Sequence, residues 1–293
     1  MLASIIIRTY NEAKHLPDLL QKIDSQKQSD IEHEVVVVDS GSTDETLVVA
    51  RQFNARIVRI KKEEFTFGRS LNYGCEAAAG DYLVFVSGHC VPEKEDWLEQ
   101  LVVPLQDDEI AYTYGRQIGK GESRFSECQL FKKYFPEVSS IPQKGFFCNN
   151  ANAALKKEVW KQYPFDEALT GLEDMDLGRR LNNAGLLLAY VADAPVYHLH
   201  DESWHKVRMR FQREAIALRH IMPEVYVRPT DFLRFYISAL LMDAGAALKG
   251  RMFWSRIGEI ALFRLMQYWG SYRGNHEHRK LSERLREEYF YPK

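Results

Sequence analysis

Cysteine is scarce and widely spaced in this chain. Cys75, Cys90, Cys128 and Cys148 are the four in 293 residues, and no two of them form a C-x-x-C pair. That excludes a disulfide framework and a cysteine-based zinc cluster, and it predicts free thiols in a reducing compartment. Charge of one sign is missing too. The 39 Lys and Arg against 41 Asp and Glu leave a net charge of -2, and no Lys/Arg tract points to nucleic acid as a partner. Long apolar runs are also absent: Phe235 to Met242 stops at Asp243, well short of the ~20 residues of a membrane span. Met1-Leu2-Ala3 carries neither a basic region nor a sustained apolar one, so no secretory signal is expected. A cytoplasmic protein remains, at most peripheral to the inner face of the plasma membrane. With 45% hydrophobic residues, a chain of this length can bury a full core and still carry an appendage.

The first half alternates strand and helix signals. Ser4 to Ile7 and Val35 to Val38 are short apolar runs that suit strands buried on both faces. Leu16, Leu19, Leu20 and Ile23 fall at helical spacing within Glu12 to Ile23, and further helices are predicted over Glu45 to Phe53 and Ser70 to Ala79. Ala55 to Ile60 and Tyr82 to Val86 complete a strand, crossover helix, strand pattern, which predicts an α/β fold with a mostly parallel central sheet and helices on both faces. Ala111 to Asn152 reads as less regular. A helix over Glu173 to Ala184, closed by Gly185, leads to a strand at Leu186 to Val191, and beyond Asp201 the chain reads as helical.

In such sheets ligands bind beyond the carboxyl ends of the strands. This directs attention to the loops Arg8 to Glu12, Asp39 to Asp44 and Ser87 to Val91. Asp39, at the end of a β-branched run and followed by Ser40-Gly41-Ser42-Thr43-Asp44, can accept from a ribose hydroxyl or a base N–H. Read alone, the same residues are equally an ordinary turn with Ser42 or Thr43 as a helix N-cap. Glu173-Asp174, opening a helix, are either a general base with its neighbour or acidic residues that favour a helix N-terminus.

Five segments, "SIIIRTYNEAKHLPDLL", "EVVVVDSGSTDET", "AAAGDYLVFVSGHCVP", "NNANAALKKEVW" and "LEDMDLGRRLNNAG", occur in an order and spacing that resembles a family 2 glycosyltransferase of GT-A fold, rhamnosyltransferase-like, over about Ser4 to His200. The resemblance implies a glycosyltransferase domain over 1–205 and a helical C-terminal extension over 206–293. It implies that Thr9, Tyr10, Glu12, Asp39 and Asp44 contact the nucleoside. It places Arg69 and Asn72 of "FTFGRSLNYG" beside base and pyrophosphate, with Arg69 as a diphosphate clamp. Asn150 and Asn152, with Asn149, would line the donor-sugar pocket. Asp174 would be the base of an inverting transfer and Glu173 its positioning neighbour.

The departure is at Ser87-Gly88-His89, where the family usually carries Asp-x-Asp to hold a divalent cation. His89 is the one candidate ligand there, and in several relatives a histidine near His198-Leu199-His200 completes the metal or phosphate site. The expected metal pair is therefore His89 and His200, holding a donor-dependent Mn or Mg; imidazole suits manganese better than magnesium. His89 can equally line the pocket or bind phosphate directly. Gly115-Arg116-Gln117 resembles a rhamnosyltransferase-like segment. The implied reaction moves a sugar from a nucleotide-diphosphate donor, dTDP-rhamnose or a UDP-sugar, to a glycan or lipid-linked acceptor in envelope polysaccharide synthesis. A catalytically silent nucleotide-sugar-binding protein is the rival reading. A nucleotidyltransferase is disfavoured, because "RTYNEAKH" has no glycine for a phosphate loop.

From Lys249 to Lys293, ten Lys/Arg against five Asp/Glu give a net of +5, with Phe253, Trp254, Tyr268, Trp269 and Tyr272 interleaved. Such a segment either lies at a membrane interface or packs as a helical cap or homodimer surface.

Overall fold

The computed structural model describes residues 1–27, 30–121, 123–200, 202–277 and 289–291. Arg279, Lys280, Arg284, Arg286 and Lys293, half of the basic residues counted from Lys249 onward, lie outside them. The chain divides into two compact units. The first comprises Met1–Lys120, Phe131–Ala168 and Glu173–Leu199; the second comprises Gly121–Leu130, Leu169–Leu172 and His200–Lys293.

The first unit is built on an eight-stranded sheet. In chain order its strands are β1 (Leu2–Thr9), β2 (Glu32–Asp39), β3 (Arg56–Arg59), β4 (Tyr82–Ser87), β5 (Cys90–Pro92), β6 (Ile110–Ile118), β7 (Asn152–Lys156) and β8 (Leu187–His198). They lie in the order β3-β2-β1-β4-β7-β6-β8-β5. The β3-β2-β1-β4 half is parallel throughout, as the strand–helix alternation predicts. The sheet as a whole is mixed, because β7 runs antiparallel to both β4 and β6, and β5 runs antiparallel to β8. The stretch expected to be irregular holds two ordered elements, β6 and the helix α5 (Phe125–Tyr134). Its Gly, Ser and aromatic content hid them, since β6 (IAYTYGRQI) is buried through Gly115 and lacks the polar alternation of a half-exposed strand.

Strand alternation sends Ile5, Ile7 and Val37 to one face and Ile6 and Val38 to the other. The first face meets α1 (Leu16–Asp24), α2 (Thr46–Gln52) and α4 (Trp97–Val102), through Leu16, Leu19, Leu20, Ile23, Ala50, Trp97 and Leu101. The second face meets α3 (Phe67–Ala77), where a Cβ at Gly74 would stand 2.5 Å from Ile6 Cγ2. Helices therefore cover both faces. α1 starts later than its apolar spacing suggests, because Asn11 sits at φ 56° and Pro17 falls in the first turn. α3 starts earlier, because Thr66 caps it by accepting the Arg69 N–H at 3.1 Å. Two further helices, α6 (Lys157–Gln162) and α7 (Glu173–Asn183), complete the unit, and Gly185 follows α7 at φ 83°.

The second unit is helical, with α8 (Trp204–Ile221), α9 (Pro229–Lys249) and α10 (Phe253–Asn275). α10 lies against α8 where Gly270 and Gly274 remove side chains from the contact: a Cβ at Gly274 would stand 2.1 Å from Gln212 O. α9 and α10 are joined by a buried pair in which Arg264 Nε and Nη2 donate to the two Asp243 carboxylate oxygens at 2.7 and 2.9 Å. No helix among the described residues is long and apolar enough to cross a membrane.

Candidate functional site

The carboxyl ends of β1, β2 and β4 are neighbours in the sheet, so their loops form one rim. Register pairs Thr9 with Asp39 and Arg8 with Ser87. Asp39 is 2% exposed, and its carboxylate accepts from the N–H groups of Gly41 and Ser42 at 3.0 and 3.1 Å. The same carboxylate accepts from Ser42 Oγ at 2.5 Å and Thr9 Oγ1 at 3.3 Å. The turn it closes needs Gly41 at φ 95°, a left-handed conformation that disfavours a side chain.

The two loops are stitched together. Asn11 N donates to Ser42 Oγ at 2.9 Å and Asn11 Oδ1 accepts from Thr43 N at 2.8 Å. Ala13 N donates to Asp44 Oδ2 at 3.1 Å and Glu12 N to Thr46 Oγ1 at 2.8 Å. Desolvation acts to raise the Asp44 carboxyl, yet the hydrogen bonds from Thr46 and Ala13 outweigh it and hold the group below its ordinary value. Tyr10 stands on the same loop with the Lys62 ammonium 5.9 Å from its ring centroid.

Glu12 also reaches the β4 turn, where its carboxylate meets His89 Nδ1 at 2.9 Å. Gly88 keeps that approach open, since a Cβ there would stand 3.0 Å from Glu12 Cγ. The ring stacked on His89 is that of His198, with centroids 5.1 Å apart, and the two rings bring nitrogens within 4.8 Å of one another. His198 Nδ1 is held by Gln117 Oε1 at 2.6 Å, and Gln117 Nε2 donates to Asn149 Oδ1 at 2.8 Å. His200 belongs to the second unit. There its Nδ1 meets Glu127 Oε1 at 2.7 Å, while Arg210 pairs with both Glu127 and Glu202. His89 belongs to the first unit and His200 to the second, and within the first unit a ring nitrogen of His198 lies within 4.8 Å of one of His89.

Glu173 and Asp174 open α7, one residue after Leu172 at φ 55°. Both are buried. Glu173 Oε1 accepts from Arg8 Nη1 at 3.0 Å, and the Arg8 guanidinium lies over the Phe67 ring. The Asp174 carboxylate is 6% exposed, with one oxygen accepting from Asn150 N at 2.8 Å and the other from Met175 N at 2.8 Å. Desolvation first, and the Glu173 carboxylate second, raise the Asp174 pKa to about 7, although the backbone N–H groups and Arg8 act the other way. Asn150 accepts from Tyr112 Oη at 2.5 Å, and its Nδ2, in a residue 3% exposed, has no hydrogen-bond partner.

Two amides expected at the ligand are consumed by packing. Asn72 donates to Phe165 O and Glu167, and accepts from Trp160 Nε1 and Phe165 N. Those four bonds fill its capacity. Asn152 accepts from Trp97 Nε1 and donates to Arg116 O and Ala194 O, at 0% exposure. Arg69 is engaged as well, through Nε to Glu167 at 2.7 Å and Nη1 to Glu64 O at 2.8 Å. Ser87 closes β4 beside Arg8. The fold therefore assembles Thr9, Asp39, Asp44 and Glu12 with His89, and separately Arg8, Glu173, Asp174 and Asn150. Arg8 and His198 are additions that sequence reasoning did not select as site residues. The signal for Arg8 was a lone charge closing the apolar run SIII.

The sequence model for glycosyl transferase family 2 matches residues 4–163. The chain is 28% identical over 200 residues to the O-antigen chain rhamnosyltransferase WbaN of Salmonella anatum, covering 64% of this chain and 62% of that one. It is 27% identical over 226 residues to the O-antigen chain rhamnosyltransferase RfbN of Salmonella typhimurium, covering 73% and 70%. Among solved structures it resembles a mannosyltransferase from Pyrobaculum calidifontis in complex with GDP-Man and Mn2+, with TM-score 0.62, 19% identity, and coverage of 93% and 85%. It also resembles glucosyl-3-phosphoglycerate synthase from Mycobacterium tuberculosis in complex with Mn2+, UDP-Glc and phosphoglyceric acid, with TM-score 0.55, 20% identity, and coverage of 75% and 79%. These structural likenesses bear on the fold, which is GT-A. With more than half of its length matched in one continuous stretch, the chain belongs to glycosyl transferase family 2.

Proposed function

We propose that the chain is an inverting glycosyltransferase that moves a sugar from a nucleotide-diphosphate donor to a glycan or lipid-linked acceptor on the cytoplasmic side of envelope polysaccharide synthesis. The observation that carries this reading is Asp174, a buried carboxyl raised to about 7 beside the orphaned Asn150 amide. A general base is most effective when its pKa lies near the working pH. In the proposed step the acceptor hydroxyl gives its proton to the Asp174 carboxylate. Its oxygen bonds to the anomeric carbon as the bond from that carbon to the diphosphate oxygen breaks, and the nucleoside diphosphate leaves from the opposite face. Glu173 keeps the Asp174 pKa up and Arg8 balances the Glu173 charge. The 9–12 and 39–44 loops grip the nucleoside, with Tyr10 and Glu12 beside Asp39 and Asp44, and Asn150 meets the sugar. The donor is dTDP-rhamnose or a UDP-sugar, and the rhamnosyltransferase names of the Salmonella relatives favour rhamnose as the sugar. Residues 1–205 carry this chemistry, and 206–293 form the accessory extension.

His89 and His198 suit a cation of the manganese type, since each ring is oriented by a hydrogen bond that its Nδ1 donates, to the Glu12 carboxylate and to Gln117 Oε1. Such a cation would supply positive charge against the donor diphosphate. No carboxylate stands at Ser87-Gly88-His89, so the two imidazoles would hold such a cation and oxygen ligands would come from the donor diphosphate.

The test is a thermal-shift screen of nucleotide sugars, in which a ligand at 100 times its dissociation constant adds ~2.7 kcal/mol. Release of nucleoside diphosphate from the stabilising donor follows. Stabilisation with turnover supports the transferase. Stabilisation without turnover on any acceptor favours the silent nucleotide-sugar-binding protein, a reading that the missing Asp-x-Asp motivates.

A further inference from the structure

The outward side of α9 is apolar. Leu233, Phe235, Ile237, Leu241, Met242 and Leu248 are all exposed, with Leu241 at 65% and Met242 at 67%. Leu233, Ile237, Leu241 and Leu248 recur at spacings of four and seven along one line of the helix over about 22 Å, and Phe235 and Met242, seven apart, form a second line on the same exposed half, with Arg234 between them. Between Phe232 and Lys249 the chain carries a single acid, Asp243, and it is turned inward onto Arg264. The charges left on the exposed side are cations, Arg234 within the stripe and Lys249 and Arg251 at its end. Directly beyond stands Trp254, 89% exposed. Soluble monomers seldom expose so continuous an apolar patch without using it.

We propose that this face of the second unit is a docking surface for an anionic lipid bilayer, with α9 lying in the plane of the headgroups and Trp254 at the interface. An apolar stripe edged by cations, with no exposed acid along it and an indole beside it, is complementary to a surface that is apolar below and negative above. No described helix is able to cross the bilayer, so α9 lies on it. A second copy is the competing occupant, and the charges argue against it. Two-fold pairing of α9 with itself, antiparallel about Leu241, sets Arg234 beside Lys249 of the other copy; parallel pairing sets Arg234 against Arg234. Both arrangements bring like charges together at an apolar contact.

The experiment is sedimentation of the full chain with vesicles of mixed phosphatidylethanolamine and phosphatidylglycerol, compared with vesicles of phosphatidylcholine alone. Binding is expected to the anionic vesicles, weakening at high salt. Ile237→Glu combined with Leu241→Glu should reduce it by about tenfold or more. Arg234→Glu combined with Lys249→Glu should also reduce it by roughly tenfold, on anionic vesicles only. If the glutamate pair does not fold, Ile237→Ser with Leu241→Ser asks the same question, and an unchanged melting temperature certifies either pair. Failure of the wild-type chain to sediment with anionic vesicles overturns the proposal. So does sedimentation that the apolar variants leave unchanged, or a concentration-dependent dimer that they abolish in a chain that binds no vesicle. None of these readouts depends on donor turnover.

Discussion

Replacing Asp174 by Asn separates the chemistry of this carboxyl from its cost to the fold. The group is 6% exposed, and burial with Glu173 beside it raises its pKa from 3.8 to about 7. Below the lower value it is protonated in both folded and unfolded chains. Between the two values the unfolded chain has released its proton and the folded one has not, so stability falls as pH rises, and the loss is complete above the folded pKa. At about 1.4 kcal/mol per unit, a shift of roughly three units costs about 4 kcal/mol above neutral pH. Asn does not titrate, but its Nδ2 has to face either Asn150 N–H or Met175 N–H, and that lost bond costs ~1–3 kcal/mol. Asp174→Asn should therefore be level with wild type or less stable at about pH 5, and more stable at about pH 8, a relative swing of about 3 kcal/mol. Urea unfolding of both proteins at the two pH values reads it directly. Donor binding should survive, and transfer should fall on the order of 10²-fold to 10⁴-fold. In the wild type, kcat/KM should rise with pH through about 7, and Arg8→Met should push that limb upward by removing a cation that favours the ionised carboxylate. Transfer by Asp174→Asn at near wild-type rate would remove the residue from the mechanism. Parallel pH–stability curves would refute the raised pKa itself.

Asp39→Ala should weaken binding of a free nucleoside diphosphate by ~1.5–3 kcal/mol in calorimetry; equal affinities would place the nucleoside elsewhere. The same change should lower the melting temperature, because four hydrogen bonds within the rim end on that carboxylate. The free protein should bind little divalent metal, and transfer should be lost on exhaustive chelation and restored better by manganese than by magnesium, with His89→Ala weakening the response. Full activity without any divalent ion would leave His89 as a phosphate contact. In the second unit, Asp243→Ala should destabilise by roughly 3–5 kcal/mol in denaturant unfolding, because it leaves the Arg264 guanidinium buried without its carboxylate. A loss below about 1 kcal/mol would mean that water reaches the pair.

Features that depend on neighbours along the chain were legible in the residues alone. Four consecutive valines make β2 a buried strand and put Asp39 at its carboxyl end, and the helical spacing of Leu16, Leu19, Leu20 and Ile23 sets the face that α1 buries. The alternation of such elements forces the parallel half of the sheet and brings the first two loops onto one rim. The antiparallel insertion of β7 was not legible, because pairing direction depends on where the chain returns from and not on the segment's own pattern. Tertiary structure alone decided what each polar side chain is free to do. Asn72 and Asn152 carry the right amide for sugar recognition, yet residues about 90 positions later in one case and 42 and 55 positions away in the other take their hydrogen bonds. Arg8 meets Glu173 across 165 residues. His198 and His200 are two apart in sequence, but β8 ends between them and each ring takes a different partner. The burial that lifts Asp174 towards neutrality is likewise a sum over everything packed around it. Desolvation and hydrogen-bond competition are set by distant chain segments, and they exist only once the chain has folded.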